Sequence, residues 1–480
     1  MKSKEIVYLA AILVIGLAVR LYKIDRPIAD WHSWRQADTA AVARNFIKEG
    51  YNPFIPKYDD MSSQGTGLDN PNRYRFVEFP IYNSIIYIVW LVTGVNTLSA
   101  RLVTVFITLG STALLYLLVR RFSGWQMAAL SSFFFATLPF NVFYSSAILP
   151  APFMIFSLLA LYLFFSIWVS NQRLVFLIIS ILLANLAILS WPIAIFFLFP
   201  LIYLSFAKYR FSIFKNPNLW AFAICSILPF IGWRIWILNF PEGIPSWRFL
   251  LNDANIRFKG AFFRWIIQER LGGLILTAAG FPLFVTGLLK RLTVRENFFY
   301  HSWLLSAITF VVVFASGNVR HDYYQVPLVP ILSIYLAIGT IALFSLPKNY
   351  FIKQLGPLLA VFLIVLTYGF SIFEVRGYYW VNRPQIIEAG MAADRVLPKD
   401  AIVIAPYNGD TAFLYQTNRY GYPVYPIVDN SLEKLTDGGI KYFVSVEPNQ
   451  EFVKTLAQKC KVLDATNNYV IVEVERECLN

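Results

Sequence analysis

Three polar clusters stand out in a chain that is otherwise mostly apolar. The first is Trp31-His32-Ser33-Trp34-Arg35-Gln36-Ala37-Asp38-Thr39, which runs on to Phe46. From Gln36 to Phe46 the pattern is helical, so Asp38 sits near the start of a helix. A carboxylate there can cap the helix by accepting backbone N–H bonds two or three residues on. It can also act as a general base if an oxygen faces a cleft. An isolated Asp would favour the cap, whereas the Trp, His, Arg and Gln around Asp38 favour chemistry. The second cluster is Val77-Glu78-Phe79-Pro80-Ile81-Tyr82. Taken alone, Glu78 is a first-turn acid that complements a helix dipole, with Pro80 near N1. Beside Asp38 it is a second carboxylate, able to orient the base or the acceptor and to raise one pKa of the pair. The third is Arg320-His321-Asp322-Tyr323-Tyr324, ahead of an apolar stretch that holds Pro327 and Pro330. It reads either as an aromatic belt with a snorkelling Arg or as a set of donors that clamps a lipid-borne phosphate.

The elements that must position these clusters are set by composition. Of 480 residues, 57% are apolar, 17% aromatic and 14% charged. A soluble chain carries about 25% charged residues, so there is too little charge here to coat a globule of this length. The many long apolar runs point to a polytopic membrane protein of helices, not a β-barrel. The expected fold is all-α with about eleven spans and a small C-terminal exterior α/β domain. The spans are placed at Ile6–Val19 and at about 101–119, 126–143, 150–169, 174–190, 192–207, 219–238, 271–289, 299–316, 324–346 and 356–373. The first resembles a signal peptide, but Arg20 and Lys23 follow directly. It is therefore read as an uncleaved span with Arg20 snorkelling to the interface.

Charge sets the topology. The stretch Ile81–Val95 is short for a span. If it does not cross, alternate ends collect Lys2/Lys4, Arg120/Arg121, Arg173, Lys208/Arg210/Lys215, Lys290/Arg291/Arg295 and Lys348/Lys353. Every one of those ends is then basic, as cytoplasmic ends should be. Ile81–Val95 is accordingly placed along the outer interface, within one exterior segment from about Tyr22 to Ser99. The N-terminus is then cytoplasmic and the tail exterior. The net charge of +13 divides into +15 over the first 374 residues and −2 over the rest, and most of the basic excess anchors cytoplasmic loops to anionic lipid. A second exterior segment, Phe240–Arg270, holds Arg248, Arg257, Lys259, Arg264 and Arg270 against three acids. It reads as an amphipathic interfacial helix or as a site for anionic lipid or phosphate. No basic groove with interleaved aromatics suggests nucleic acid.

The chain divides into a membrane domain, residues 1–374, and an exterior domain, 375–480. In the latter, strand-length runs occur at Ala401–Ala405, Tyr442–Val446 and Tyr469–Val474. Helical patterns lie at Pro384–Val396, Ser431–Leu435 and Glu451–Ala457, with Gly438-Gly439 as a turn. Cysteines are few (Cys225, Cys460 and Cys478) and none forms a CxxC pair. Cys460 and Cys478 would pair in an oxidising space or stand as unrelated thiols. The spans hold almost no ionisable groups, only Arg234 and His301 near ends, which argues against an ion-coupled carrier or a flippase with a charged lumen.

The run Asp38–Phe46 resembles the first-loop motif of GT-C membrane glycosyltransferases, especially the protein O-mannosyltransferase and lipid A aminoarabinose transferase group. So do Glu78-Phe79-Pro80, Ala100-Arg101-Leu102, Arg120-Arg121-Phe122-Ser123-Gly124, Ala147-Ile148-Leu149-Pro150 and Arg320-His321-Asp322-Tyr323-Tyr324. The resemblance covers about residues 5–375 in order. It departs at Thr39, where many relatives have Glu after the Asp, and at Asp322, where many have Pro. It implies transfer of a sugar, hexosyl or pentosyl, from a polyprenyl-monophosphate donor. The acceptor would be a lipid, glycan or protein at the outer face of the plasma (inner) membrane. It makes Asp38 the catalytic base, with Glu78 beside it. A departing lipid phosphate gains charge, so cationic donors are expected near it. The candidates are Arg320, His321 and Tyr323, with Arg35 and Arg248 behind them. No cofactor is expected, and the Thr39 departure weakens any inference of a divalent-metal site. Two other classes compete: an O-antigen ligase or polymerase using a diphosphate donor, and a lipid or polysaccharide transporter.

Overall fold

The structure, a computed structural model, describes residues 1–345, 354–424, 432, 436 and 439–479. The expected helix Ser431–Leu435, the Gly438-Gly439 turn and the basic end Lys348/Lys353 fall wholly or mainly outside the described residues. Two compact units form by contact. The membrane unit comprises Met1–Ile24, Arg101–Arg234 and Trp247–Gly377. The polar unit comprises Asp25–Ala100, Ile235–Ser246 and Tyr378–Asn480. The grouping does not follow the linear division at 374/375, because the first long loop folds with the tail.

In the membrane unit, helices occupy all eleven stretches expected to cross. Six of the described helices are long and apolar enough to span, or seven if the bent pair Gly260–Ile275 and Thr277–Leu289 is one span. Shorter apolar helices stand at Leu174–Ser190 and Phe298–Val313. The longest, Thr97–Thr137, has 41 residues. At 1.5 Å per residue it would reach about 60 Å, twice the hydrocarbon core. It breaks at Gly124, where φ is +83°, so two helices meet there.

Small residues bring helices together where lipid offers no hydrophobic drive. A Cβ on Gly287 would collide with the carbonyl of Tyr335, and one on Gly339 with the carbonyl of Leu283. Arg20 does not snorkel to the interface. It is 1% exposed and donates to Ser145 Oγ at 2.7 Å and to the carbonyls of Gly16 (2.8 Å) and Ala136 (2.5 Å). The reason lies in Pro139, which has no N–H to give and interrupts the helix after Thr137. That break frees backbone carbonyls. Asn141 Nδ2 takes Phe135's at 2.6 Å, and Arg20 takes Ala136's.

In the polar unit the tail forms a five-stranded sheet from β1 Ile402–Ile404, β2 Tyr420–Tyr422, β3 Tyr442–Ser445, β4 Lys461–Ala465 and β5 Val470–Glu473. The order is β2-β1-β3-β5-β4, with β1 parallel to β2 and β3, and β5 antiparallel to β3 and β4. Helices Gln385–Val396 and Glu451–Lys459 lie where their patterns put them. Cys460 and Cys478 form a disulfide. Gly421 in β2 carries the sheet's edge onto the first loop: its N–H bonds Asp59's carbonyl at 3.0 Å, and its carbonyl accepts from Met61 at 2.8 Å. Helix Ile81–Thr93 has 13 residues, about 20 Å, too short to cross. It buries Tyr82, Ile86 and Trp90 and leaves Ile88, Leu91 and Val92 bare, as an interfacial helix would.

Candidate functional site

Ala37, Ala40, Ala41 and Ala43 make Ser33–Glu49 a strong helix former. The helix starts three residues before the expected Gln36, because His32 takes the left-handed turn at its N-cap. Asp38 therefore lies in the second turn and cannot cap the helix. Its side chain is 5% exposed. Arg75 Nη2 donates to Oδ2 at 2.6 Å, and Thr411 Oγ1 donates to Oδ1 at 2.6 Å. One donor sits on each oxygen, which leaves a further lone pair on each for an incoming proton.

Glu78 lies ahead of helix Ile81–Thr93, not in its first turn, so it does not serve the helix dipole. Both of its oxygens accept from Arg35 Nη2 at 2.8 Å. Arg35 Nη1 also reaches Thr39 Oγ1 at 3.3 Å. This buried pair lies along the same helix as Asp38. Asp38's own ion-pair partner is Arg75.

Further buried charges tie the helix to the tail. Arg44 pairs with Asp59, donates to the Tyr415 carbonyl at 2.9 Å and stacks over the Tyr415 ring at 4.1 Å. Arg73 pairs with Glu49 at 2.8 Å and lies 3.6 Å over the Tyr420 ring. Asp410 caps helix Thr411–Gln416 through Ala412 N at 2.7 Å and accepts from Ser33 Oγ at 3.0 Å. Burial pushes Asp410 up to about 6, against bonds from Ala412 and Ser33 that lower it, and the Asp38 charge adds to the rise. Burial likewise pushes Asp60 up to about 7, opposed by its bonds from Ser62 and raised further by Asp38. The polar unit thus keeps carboxylates around Asp38 in which desolvation, not pairing, dominates Asp60 and Asp410.

The other expected site residues stand in the membrane unit. Arg320 ends helix Ala315–Arg320, pairs with Asp253 and lies 5.4 Å over the Phe249 ring. Its side chain is half exposed. Arg248 is exposed and precedes helix Phe249–Asn252, which packs on Ala315–Arg320. His321, Tyr323 and Tyr324 cluster, with ring centroids 5.5 Å apart for His321–Tyr323, 4.8 Å for Tyr323–Tyr324 and 6.2 Å for His321–Tyr324. Asp322 is buried and accepts from Tyr144 Oη at 2.5 Å. The structure therefore gathers Arg35, Asp38 and Glu78 in the polar unit, and Arg248, Arg320, His321 and Tyr323 in the membrane unit. Among the described residues no group of three His, Cys, Asp or Glu side chains could hold a metal ion.

Four residues around Asp38 have no counterpart in the sequence reading: Arg75, Asp60, Asp410 and Thr411. Asp410 before Thr411 is a legible N-cap signal. It marks a helix, though, not the Asp38 contact 373 residues away.

Comparison with known proteins supports the same class. A family model described as dolichyl-phosphate-mannose-protein mannosyltransferase matches residues 77–236, a third of the chain. ArnT from Cupriavidus metallidurans in the apo state has a TM-score of 0.69 at 14% identity, covering 99% of both chains. ArnT bound to undecaprenyl phosphate has a TM-score of 0.65 at 13% identity, covering 98% of both. The oligosaccharyltransferase AglB of Archaeoglobus fulgidus, in complex with an inhibitory peptide and a dolichol-phosphate, has a TM-score of 0.53 at 13% identity. It covers 92% of this chain and 70% of that one. The chain has the fold of these GT-C membrane glycosyltransferases. It is a multi-pass membrane protein. An aquaporin of Laccaria bicolor is 31% identical over 143 residues, 29% of this chain and 52% of that protein. The chain thus spans about half the length of this curated relative.

Proposed function

We propose that the protein transfers a sugar from a polyprenyl-monophosphate donor to an acceptor hydroxyl or amine at the outer face of the membrane. The observation that carries this is Asp38: a buried carboxylate on a rigid helix, with one fixed donor on each oxygen and a lone pair left on each. In the reaction, the acceptor's oxygen or nitrogen attacks the anomeric carbon as Asp38 takes its proton. The bond from that carbon to the phosphate oxygen breaks, and the electron pair leaves with the lipid phosphate. A single displacement of this kind inverts the anomeric carbon. Holding the base in place contributes typically about 10²–10⁴-fold. The likeness to ArnT, solved with undecaprenyl phosphate, supports the lipid donor.

Glu78 and Arg35 are assigned to fix the first turns of the Asp38 helix, because each occupies the other. Arg320, His321, Tyr323 and Arg248 are assigned to the donor phosphate, where a phosphate would displace Asp253 from Arg320. The proposed location is the plasma membrane, with the N-terminus cytoplasmic and the polar unit exterior. The basic ends support that orientation, and the Cys460–Cys478 disulfide suits an oxidising space.

The test is the chemistry of the products. Purified protein is supplied with undecaprenyl-linked sugars, and the released lipid and the sugar's anomeric configuration are determined. Release of undecaprenyl monophosphate with inversion is expected. Release of the diphosphate would favour a ligase or polymerase, and retention of configuration would exclude the single displacement.

A further inference from the structure

We propose that Thr411, from the C-terminal part of the chain, is a positioning residue for the Asp38 carboxylate, so that the tail completes the site. The inference rests on the reading of Asp38 as base.

Thr411 Oγ1 lies 2.6 Å from Asp38 Oδ1 and 3.2 Å from the Trp34 carbonyl. A hydroxyl has one proton to give, and the charged, nearer carboxylate takes it. Arg75 holds the other oxygen, Oδ2. Either donor alone would leave the carboxylate free to turn about that contact; the two together fix its plane. Thr411 is itself held from several directions. It opens helix Thr411–Gln416, which Asp410 caps, and Asp410 also accepts from Ser33, the first residue of the Asp38 helix. The two helix starts are therefore cross-tied at adjacent residues: Asp410 to Ser33 and Thr411 to Asp38. The far end of the short helix is fixed as well, with Arg44 on the Tyr415 carbonyl and Gln416 Nε2 on the Ile28 carbonyl at 3.0 Å.

Charges reach Asp38 from two segments: Arg75 from the loop pairs with it, and Asp60 from the same loop and Asp410 from the tail are both raised by the Asp38 charge. Helix Ile81–Thr93, packed on the Asp38 helix, brings no charge, only the Asn83 amide on the Thr39 carbonyl at 2.7 Å.

The test uses the full chain in membranes, as wild type, Thr411→Val, Thr411→Ser and Asp38→Asn, assayed with labelled undecaprenyl-phosphate sugars over a range of pH. Thr411→Val keeps the branched shape and removes the hydroxyl. Its kcat is expected to fall about tenfold with the donor KM unchanged. Thr411→Ser should restore kcat. If Thr411→Val does not accumulate as folded protein, Thr411→Ala is read the same way. A hydroxyl-free variant with wild-type kcat would overturn the inference while leaving the base reading intact. Full turnover by Asp38→Asn would instead overturn the base reading. If no donor is consumed, labelling of Asp38 by a hydrophobic carbodiimide at fixed pH replaces turnover. Its rate should change in Thr411→Val and return in Thr411→Ser, and an unchanged rate would again overturn the inference.

Discussion

The helices Ser33–Glu49 and Val329–Phe344 are both buried along most of their length, and they reach that state by different means. The second carries no Asp, Glu, Lys, Arg or His and buries every position from Val329 to Thr340. It is seated by close approach, with Gly339 against the Leu283 carbonyl. The first buries Arg35, Asp38, Arg44 and Asn45, each of which bonds a group from another segment of the polar unit. Apolar burial tolerates many neighbours. Burial of charge requires a particular partner at a particular atom, because an unmatched buried charge is strongly destabilising. The same requirement holds a carboxylate such as Asp38 in one place, which is what a base needs.

Variants of these two helices can break that contrast. The largest effect is expected at Arg44. Arg44→Met leaves Asp59, 2% exposed, without its cation and should destabilise the polar unit by about 3–5 kcal/mol in thermal unfolding. The double variant Arg44→Met/Asp59→Leu should regain much of that loss. If it regains none, the Tyr415 contacts and not the ion pair dominate. In the apolar helix the comparable lesion is Gly339→Leu, which drives a side chain into backbone. It should cost at least the usual ~1–3 kcal/mol of overpacking, read as lost thermal stability in detergent. Unchanged stability would mean that the helices separate easily.

A third expected effect is a pH dependence carried by the polar unit. Asp60 rises from an ordinary 3.8 to about 7 in the folded chain. Between those values the folded state holds a proton that the unfolded state has released. Stability therefore falls as pH rises from about 4 to about 7, and the loss is complete above that. Asp410, raised to about 6, adds the same sign over a narrower range. Thermal midpoints at acidic and alkaline pH should differ less in Asp60→Asn than in wild type. An equal difference would place the titration elsewhere.

The same contrast explains what could be read from the sequence. Helices occur at all eleven apolar stretches because bilayer and core make the same demand on composition. Three of the five strands and helices Gln385–Val396 and Glu451–Lys459 were legible from their periodicity. The strands β2 and β4 were not: Tyr420–Tyr422 is three residues around a glycine, and Lys461–Ala465 mixes Lys and Asp into an edge. Asp38 and Glu78 were legible as residues of interest from their polar, aromatic setting. Their partners were not. Arg75 is 37 residues from Asp38 and Thr411 is 373 away, and no local pattern records either pairing. Arg20 misled for the same reason, since two of its acceptors, Ser145 and Ala136, lie more than 100 residues downstream.

The central claim is that Asp38 is the base of a sugar transfer from a polyprenyl phosphate. Its most direct test compares membranes holding wild-type or Asp38→Asn protein, each given labelled undecaprenyl-phosphate sugars and a cell-envelope extract as acceptor. Asn preserves the shape but cannot take a proton, and because it also leaves Arg75 without its anion the folded amount of each protein is measured alongside. Loss of label from one prenyl donor in the wild type, slowed by about 10²–10⁴-fold in the variant, is the predicted result. Equal loss of label from both membranes would contradict it.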